Sequence, residues 1–168
     1  MKPITPRSHL KLAATALALA ALALLPASTQ AEESTVEDEI RAMIMADNQY
    51  TRDHLMGQEG GNSKHGSLEF WSSGGLMQWV APDAPAGEFE VFSLTPKHIK
   101  VIVLPGGEAA VTLSYSEGSM HPKGGSLVSH YMTRALQVFV KEDGKWVQRA
   151  GHWSPIAGGA GTSQTSID

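Results

Sequence analysis

The sequence predicts an α+β domain, a single amphipathic helix packed on an antiparallel sheet. Three observations carry that expectation. One stripe of apolar residues at helical spacing lies near the start, between residues 34 and 55. The chain beyond residue 95 alternates firmly as β-strand. Short turns rich in Gly and Pro join those strands as hairpins.

Ahead of the domain, residues 1–31 read as a secretory signal peptide. Lys2, Arg7 and Lys11 make a positive start, an apolar run extends from Leu12 to Leu25, and Pro26 is followed by a small residue at Ala31. The run is about 14 residues, short of the roughly 20 that span a bilayer, so cleavage is expected and no membrane attachment after it. No Cys follows, which excludes a lipid anchor. The expected location is periplasmic or secreted. Cleavage leaves 137 residues, enough for one domain with its own core.

The leader holds three of the 13 Lys and Arg and none of the 17 acids, so the remainder has 10 basic and 17 acidic residues, a net charge of −7. An acidic chain without a basic cluster is a poor match for nucleic acid, whose phosphates need concentrated positive charge. With no Cys there is no disulfide framework and no thiolate metal site. The six remaining His lack the close spacing of a zinc site. No cofactor is expected.

The elements follow in order. Ser34 and Glu37 form a Ser-x-x-Glu capping box, and Val36, Ile40, Met43, Ile44, Tyr50 and Leu55 give one helix over 34–55. Asp47 interrupts that stripe, either at its edge or pointing into a polar pocket. Residues 57–66 read as a loop. Two short strands, 67–71 and 76–80, flank the glycines at 74 and 75, and residues 88–94 form a strand or a bridging element. Residues 98–104 and 108–115 make a hairpin around Pro105, Gly106 and Gly107. Residues 117–125 read as a loop, 127–141 as a long strand and 145–154 as the last. Residues 157–168 are too polar to pack and read as a flexible tail.

In the long strand neither face is cleanly polar, so both are expected to be covered. The helix would cover one and a second subunit the other. The Glu142-Asp143-Gly144 turn then sets the register of the closing hairpin. Read as a three-residue loop with a bulge, it pairs Gln137 with Arg149 and Phe139 with Val147, and puts Trp153 on the face of Gln137. A two-residue Asp143-Gly144 turn would reverse that assignment.

The helix, the hairpin over 101–115, and the closing hairpin from Thr133 and Arg134 through Trp146 to His152, Trp153 and Ser154 together resemble the nuclear transport factor 2-like superfamily. The closest likeness is to its SnoaL-like group of mostly uncharacterised members. The resemblance covers residues 34–156 and is specific only in the second half. It implies a cystatin-like cone, in which a curved antiparallel sheet wraps the helix and leaves a pocket at the open end. It also implies homodimers paired through the outer sheet face. In related kinase association domains the positions matching Gln137 and Trp153 carry pocket Arg, so here the resemblance implies a more apolar pocket.

Candidate ligand-binding residues are Trp71, Tyr115, Arg134, Gln137, His152 and Trp153. An indole offers apolar area and one N–H donor. His152 has a side chain that titrates near neutrality, but general-base work needs an orienting carboxylate, and no spacing supplies one from Asp47, Glu69 or Glu117. Each of these residues also has an ordinary structural reading, as core, sheet or interface packing. The sequence therefore predicts an exported single-domain protein that binds a small apolar or amphipathic ligand. The alternatives are an acid–base enzyme on the same scaffold, as isomerase, cyclase or hydrolase, and a dimeric interaction module with a filled cone. The residues name no reaction.

Overall fold

The computed structural model describes residues 35–156, so the signal peptide over 1–31 and the tail over 157–168 lie outside the described residues. Helix α1 (Val36–His54) is followed by β1 (Ser67–Phe70), β2 (Gln78–Val80), β3 (Phe89–Phe92), β4 (Thr95–Val103), β5 (Ala109–Pro122), β6 (Val128–Glu142) and β7 (Lys145–Pro155). No described helix is long and apolar enough to cross a membrane.

Helix α1 starts one residue later than its capping box suggested. Thr35, not Ser34, is the N-cap: its hydroxyl accepts the Asp38 N–H at 3.2 Å and donates to the Asp38 carboxylate at 2.8 Å. A Thr-x-x-Asp pair thus replaces the expected Ser-x-x-Glu. The Thr35 hydroxyl, followed by the Arg41 guanidinium, holds the Asp38 carboxyl below its usual range. Ile40 is fully buried, and it packs with Ala110 and Phe139 against Val36, Met43, Ile44, Val101 and Trp146. That small cluster is where the helix meets the sheet.

The strands form one seven-stranded sheet in the order β2-β1-β7-β6-β5-β3, with β4 sharing the β5 edge. All pairings are antiparallel except β1 with β7. Strand β5 is longer than its sequence indicated. The polar, Gly-containing residues 117–122 read as a loop, yet they pair with β6 from Glu117↔Met132 to Met120↔Val128 and with β3. Backbone hydrogen bonds, not side-chain pattern, hold that segment in the sheet. Register shifts in β4/β5, β5/β6 and β6/β7 mark bulges, and bulges bend the strands that carry them. The sheet accordingly curls around the helix.

The β6–β7 turn is the two-residue one. Glu142 pairs directly with Lys145, and Asp143 and Gly144 both have positive φ, 50° and 79°, the conformation for which Asp-Gly is favoured. The predicted pairs therefore fail: Phe139 faces Gln148 and Gln137 faces Gly151. A bulge between these two pairs shifts the register by one residue and restores the facing that the shorter turn would have reversed. Trp153 pairs with Ala135, two residues from Gln137, so Gln137 and Trp153 do share a face.

The loop before β1 pins that bulge. Gln148 donates its N–H to the Gly61 carbonyl at 2.7 Å, and its carbonyl accepts from Ser63 at 2.8 Å. Glu142 fastens the same loop, accepting from the Lys64 N–H at 2.9 Å and the Ser63 hydroxyl at 2.8 Å. Those two donors, the Lys64 amide first, push the Glu142 carboxyl down. A lowered folded-state pKa gives stability that is present above the unfolded value and lost as pH falls through the folded one. Glu142→Gln should thus melt below the wild type at neutral pH, with the gap closing in acid. Thermal melts on both sides of the carboxylate range check this.

Candidate functional site

Alternation along each strand divides the sheet into an inner face, toward α1, and an outer face. Ala110 and Phe139 touch the helix, so their strand mates Thr112, Ser114, Thr133, Ala135 and Gln137 also face inward. Thr112, Ser114, Thr133 and Ala135 are all buried. Between the helix contact at Phe139 and the Trp153 indole, the inner face thus carries small and polar side chains.

A polar chain crosses it. Gln137 donates to the Gln148 side chain at 2.7 Å, and Gln148 donates to the Glu69 carboxylate at 2.6 Å. Glu69 is 2% exposed. It arrives there because β1 pairs in parallel with β7, which sets Glu69 opposite Gly151. The Ser67 hydroxyl, two residues earlier on the same strand face, is buried without a hydrogen-bond partner. Gly151 leaves open the space that the Trp153 indole fills. Trp71 stacks on that indole with centroids 5.1 Å apart and planes at 18°, and Trp71 itself is 45% exposed.

Asp47 belongs to this side as well. It lies on the sheet-facing stripe of α1, one turn after Met43 and Ile44 and before the buried Thr51. Burial raises its carboxyl above the usual range. A raised folded-state pKa penalises the fold as pH climbs through the unfolded value toward the folded one. Asp47→Asn should then melt a few degrees above the wild type at neutral pH and match it in acid, as differential scanning calorimetry at the two pH values would show.

The six sequence candidates do not form one site. Gln137 and Trp153 lie on the inner face, with Trp71 stacked beside them. Tyr115, Arg134 and His152 lie on the outer face, in the rows Tyr115↔Arg134↔Ser154 and Leu113↔Leu136↔His152. The His152 ring contacts Phe70 at 5.6 Å between centroids. Among the described residues no carboxylate bonds His152 and no acid pairs with Arg134. Glu117 is taken by Lys97, and Glu69 is on the other face.

The outer face has its own character. Leu68, Phe70, Leu113, Tyr115, Met132 and Leu136 are each between 37% and 44% exposed; they lie on β1, β5 and β6, with His152 of β7 between Phe70 and Leu136. Exposed apolar side chains grouped on one sheet face are a feature of contact surfaces. A polar groove of about 660 Å³ lies at the β4–β6 end, lined by Thr95, Lys97, Glu117, His130 and Tyr131 among others. None of the six candidates lines it.

Gln148 and Ser67 were not singled out in the sequence, and Glu69 only as a possible partner for His152, for a physical reason. In Ser67-Leu68-Glu69-Phe70 the alternation suggests apolar inward and polar outward. The structure inverts it, burying Ser67 and Glu69 and exposing Leu68 and Phe70. The usable signal was Gln148, a polar residue inside a strand.

No protein-family model and no curated protein matches the sequence. Solved structures do match. A candidate calcium/calmodulin-dependent kinase II association domain from Exiguobacterium sibiricum 255-15 superposes with a TM-score of 0.50 at 13% identity, covering 76% of this chain and 98% of its own. An NTF2-like protein of unknown function from Prochlorococcus gives 0.49 at 17% identity over 73% and 94%. The kinase hub homology domain of Chlamydomonas reinhardtii gives 0.46 at 18% over 74% and 100%. Identities this low speak to fold alone. With its N-terminal helix held in a curled, mostly antiparallel sheet, the chain has the nuclear transport factor 2-like fold.

Proposed function

We propose that this is an exported, homodimeric ligand-binding module, paired through the outer sheet face, with a small amphipathic molecule held against the inner one. The observation that carries the reading is the exposed apolar outer face, because a lone domain gains nothing by presenting six large apolar side chains on one sheet face. The association and hub domains among the similar structures are named for assembly, which agrees with self-association. For the ligand, the support is the mixed inner lining, where a stacked indole pair adjoins hydroxyls and a carboxylate. That mixture favours an amphipathic occupant over a purely apolar one. Export rests on the leader pattern of residues 1–31, and membership of the SnoaL-like group on the closing hairpin and its His152-Trp153-Ser154 end.

Native mass spectrometry of protein recovered from the periplasm tests both halves at once. The expected spectrum shows twice the mass of the processed chain, with a further small-molecule increment. A monomer mass counts against pairing, and a ligand-free dimer counts against the inner site. An acid–base enzyme is the second reading, favoured by Asp47 with its raised carboxyl. That reading requires turnover, so recovery of one unaltered occupant argues against it.

A further inference from the structure

Resting on the inner-face reading above, we infer that this site takes a small organic cation, an alkylammonium or quaternary ammonium group, with Glu69 as its counter-ion and the Trp71–Trp153 pair as its aromatic wall. The starting point is a carboxylate buried with too few partners. Glu69 is 2% exposed and accepts one hydrogen bond, from the neutral Gln148 amide. It makes no ion pair. An acid shielded from water without a countercharge is unfavourable, and Gln in its place would accept the same bond without carrying a charge.

No basic side chain compensates for it. Arg149, at the adjacent bulge, is bonded to the Gly66 carbonyl at 3.1 Å. Lys141, a base on the inner side, sits at the far end of β6, 3.7 Å from Glu39 and over the Trp146 ring. Asp47 adds a second acid to the same side. Glu69 itself has no cationic partner among the described residues, and a positive group is what it lacks. The buried Ser67 hydroxyl, unpartnered and on the strand face of Glu69, is a second polar group still awaiting a bond.

The aromatic wall stands at the same place. Glu69 and Gln137 are the two register partners of Gly151, and the Trp153 indole lies over Gly151, hence between them. Indole faces attract cations, and quaternary ammonium groups are bound in this way. Trp71 is the outer, half-exposed member of the stack and sits at the end of β1, where the chain enters the Gly74-Gly75 turn.

The test is thermal unfolding and tryptophan fluorescence of the full processed protein, titrated with choline, n-butylammonium, butyrate and the neutral choline isostere 3,3-dimethylbutan-1-ol. A ligand that binds only the folded state raises its melting temperature with concentration. Choline and butylammonium are expected to raise it saturably and to change Trp emission, and the neutral alcohol to bind about tenfold more weakly or worse. Glu69→Gln should melt higher than the wild type without ligand and lose the preference for the cations. A structural role for Glu69 would instead lower the melting temperature, which overturns the proposal. Equal binding of alcohol and choline, abolished together by Trp153→Ala, overturns the cation assignment and leaves the ligand site standing. Tighter binding of butyrate has the same consequence. No response to any probe at millimolar concentration in folded protein overturns both.

Discussion

On the proposed pairing through the outer face, Leu136→Asp is expected to convert the protein from dimer to monomer without unfolding it. Leu136 lies on the outer face between Leu113 and His152 and is 41% exposed in the single chain, so its own fold leaves room for a carboxylate in water. In a two-fold interface each substitution occurs twice. Desolvating an unpaired carboxylate costs several kcal/mol in practice, so two of them should weaken pairing by about a thousandfold or more. Sedimentation equilibrium of the variant at micromolar concentration should give the monomer mass, and circular dichroism an unchanged spectrum. Leu113→Asp, one strand away, should do the same. A variant that stays dimeric would remove the outer face from the interface and leave the patch unexplained.

Phe139→Ala should have the largest effect on stability. Phe139 is 5% exposed and forms the core cluster with Ile40 and Ala110. Truncating a buried Phe costs about 3–5 kcal/mol through lost transfer energy and the cavity left behind. Set against a total of about 5–15 kcal/mol for a small domain, the loss is large because the described core is small. With a urea dependence of about 1–3 kcal/mol per molar, the unfolding midpoint should fall by about 2 M. A fall of less than a quarter of that would mean the helix is held mainly by its polar contacts, Asn48 to the Leu94 carbonyl and Arg52 to Thr95.

Much of the architecture was legible because it is written in local chemistry. The helical stripe from Val36 to Ile44, the Pro105-Gly106-Gly107 turn and the Asp143-Gly144 turn each depend on a few adjacent residues, and each forms where expected. The extended segment at 117–122 was not legible, since its pairing comes from backbone groups of β3 and β6 distant in sequence. Nor was the parallel β1–β7 pairing, which carries Glu69 inward. The face shared by Gln137 and Trp153 was inferred through a wrong pairing. The shorter turn and the bulge at Gln148 each shift the facing once, and the two shifts cancel.

By itself the sequence determined which residues share a face within each regular run of a strand, because side chains alternate there with a period of two; at a bulge, as between Gln148 and Gly151, the alternation breaks. The sequence could not say which face meets the helix. That choice depends on the whole curled sheet: Ala110 and Phe139 touch α1, so Gln137 and Trp153 turn inward while Tyr115, Arg134 and His152 turn outward. Tertiary structure therefore decided on which side of the sheet each candidate lies. Gln137 and Trp153, with Trp71 stacked beside them, adjoin the buried Glu69, and Tyr115, Arg134 and His152 lie among the exposed apolar side chains of the outer face.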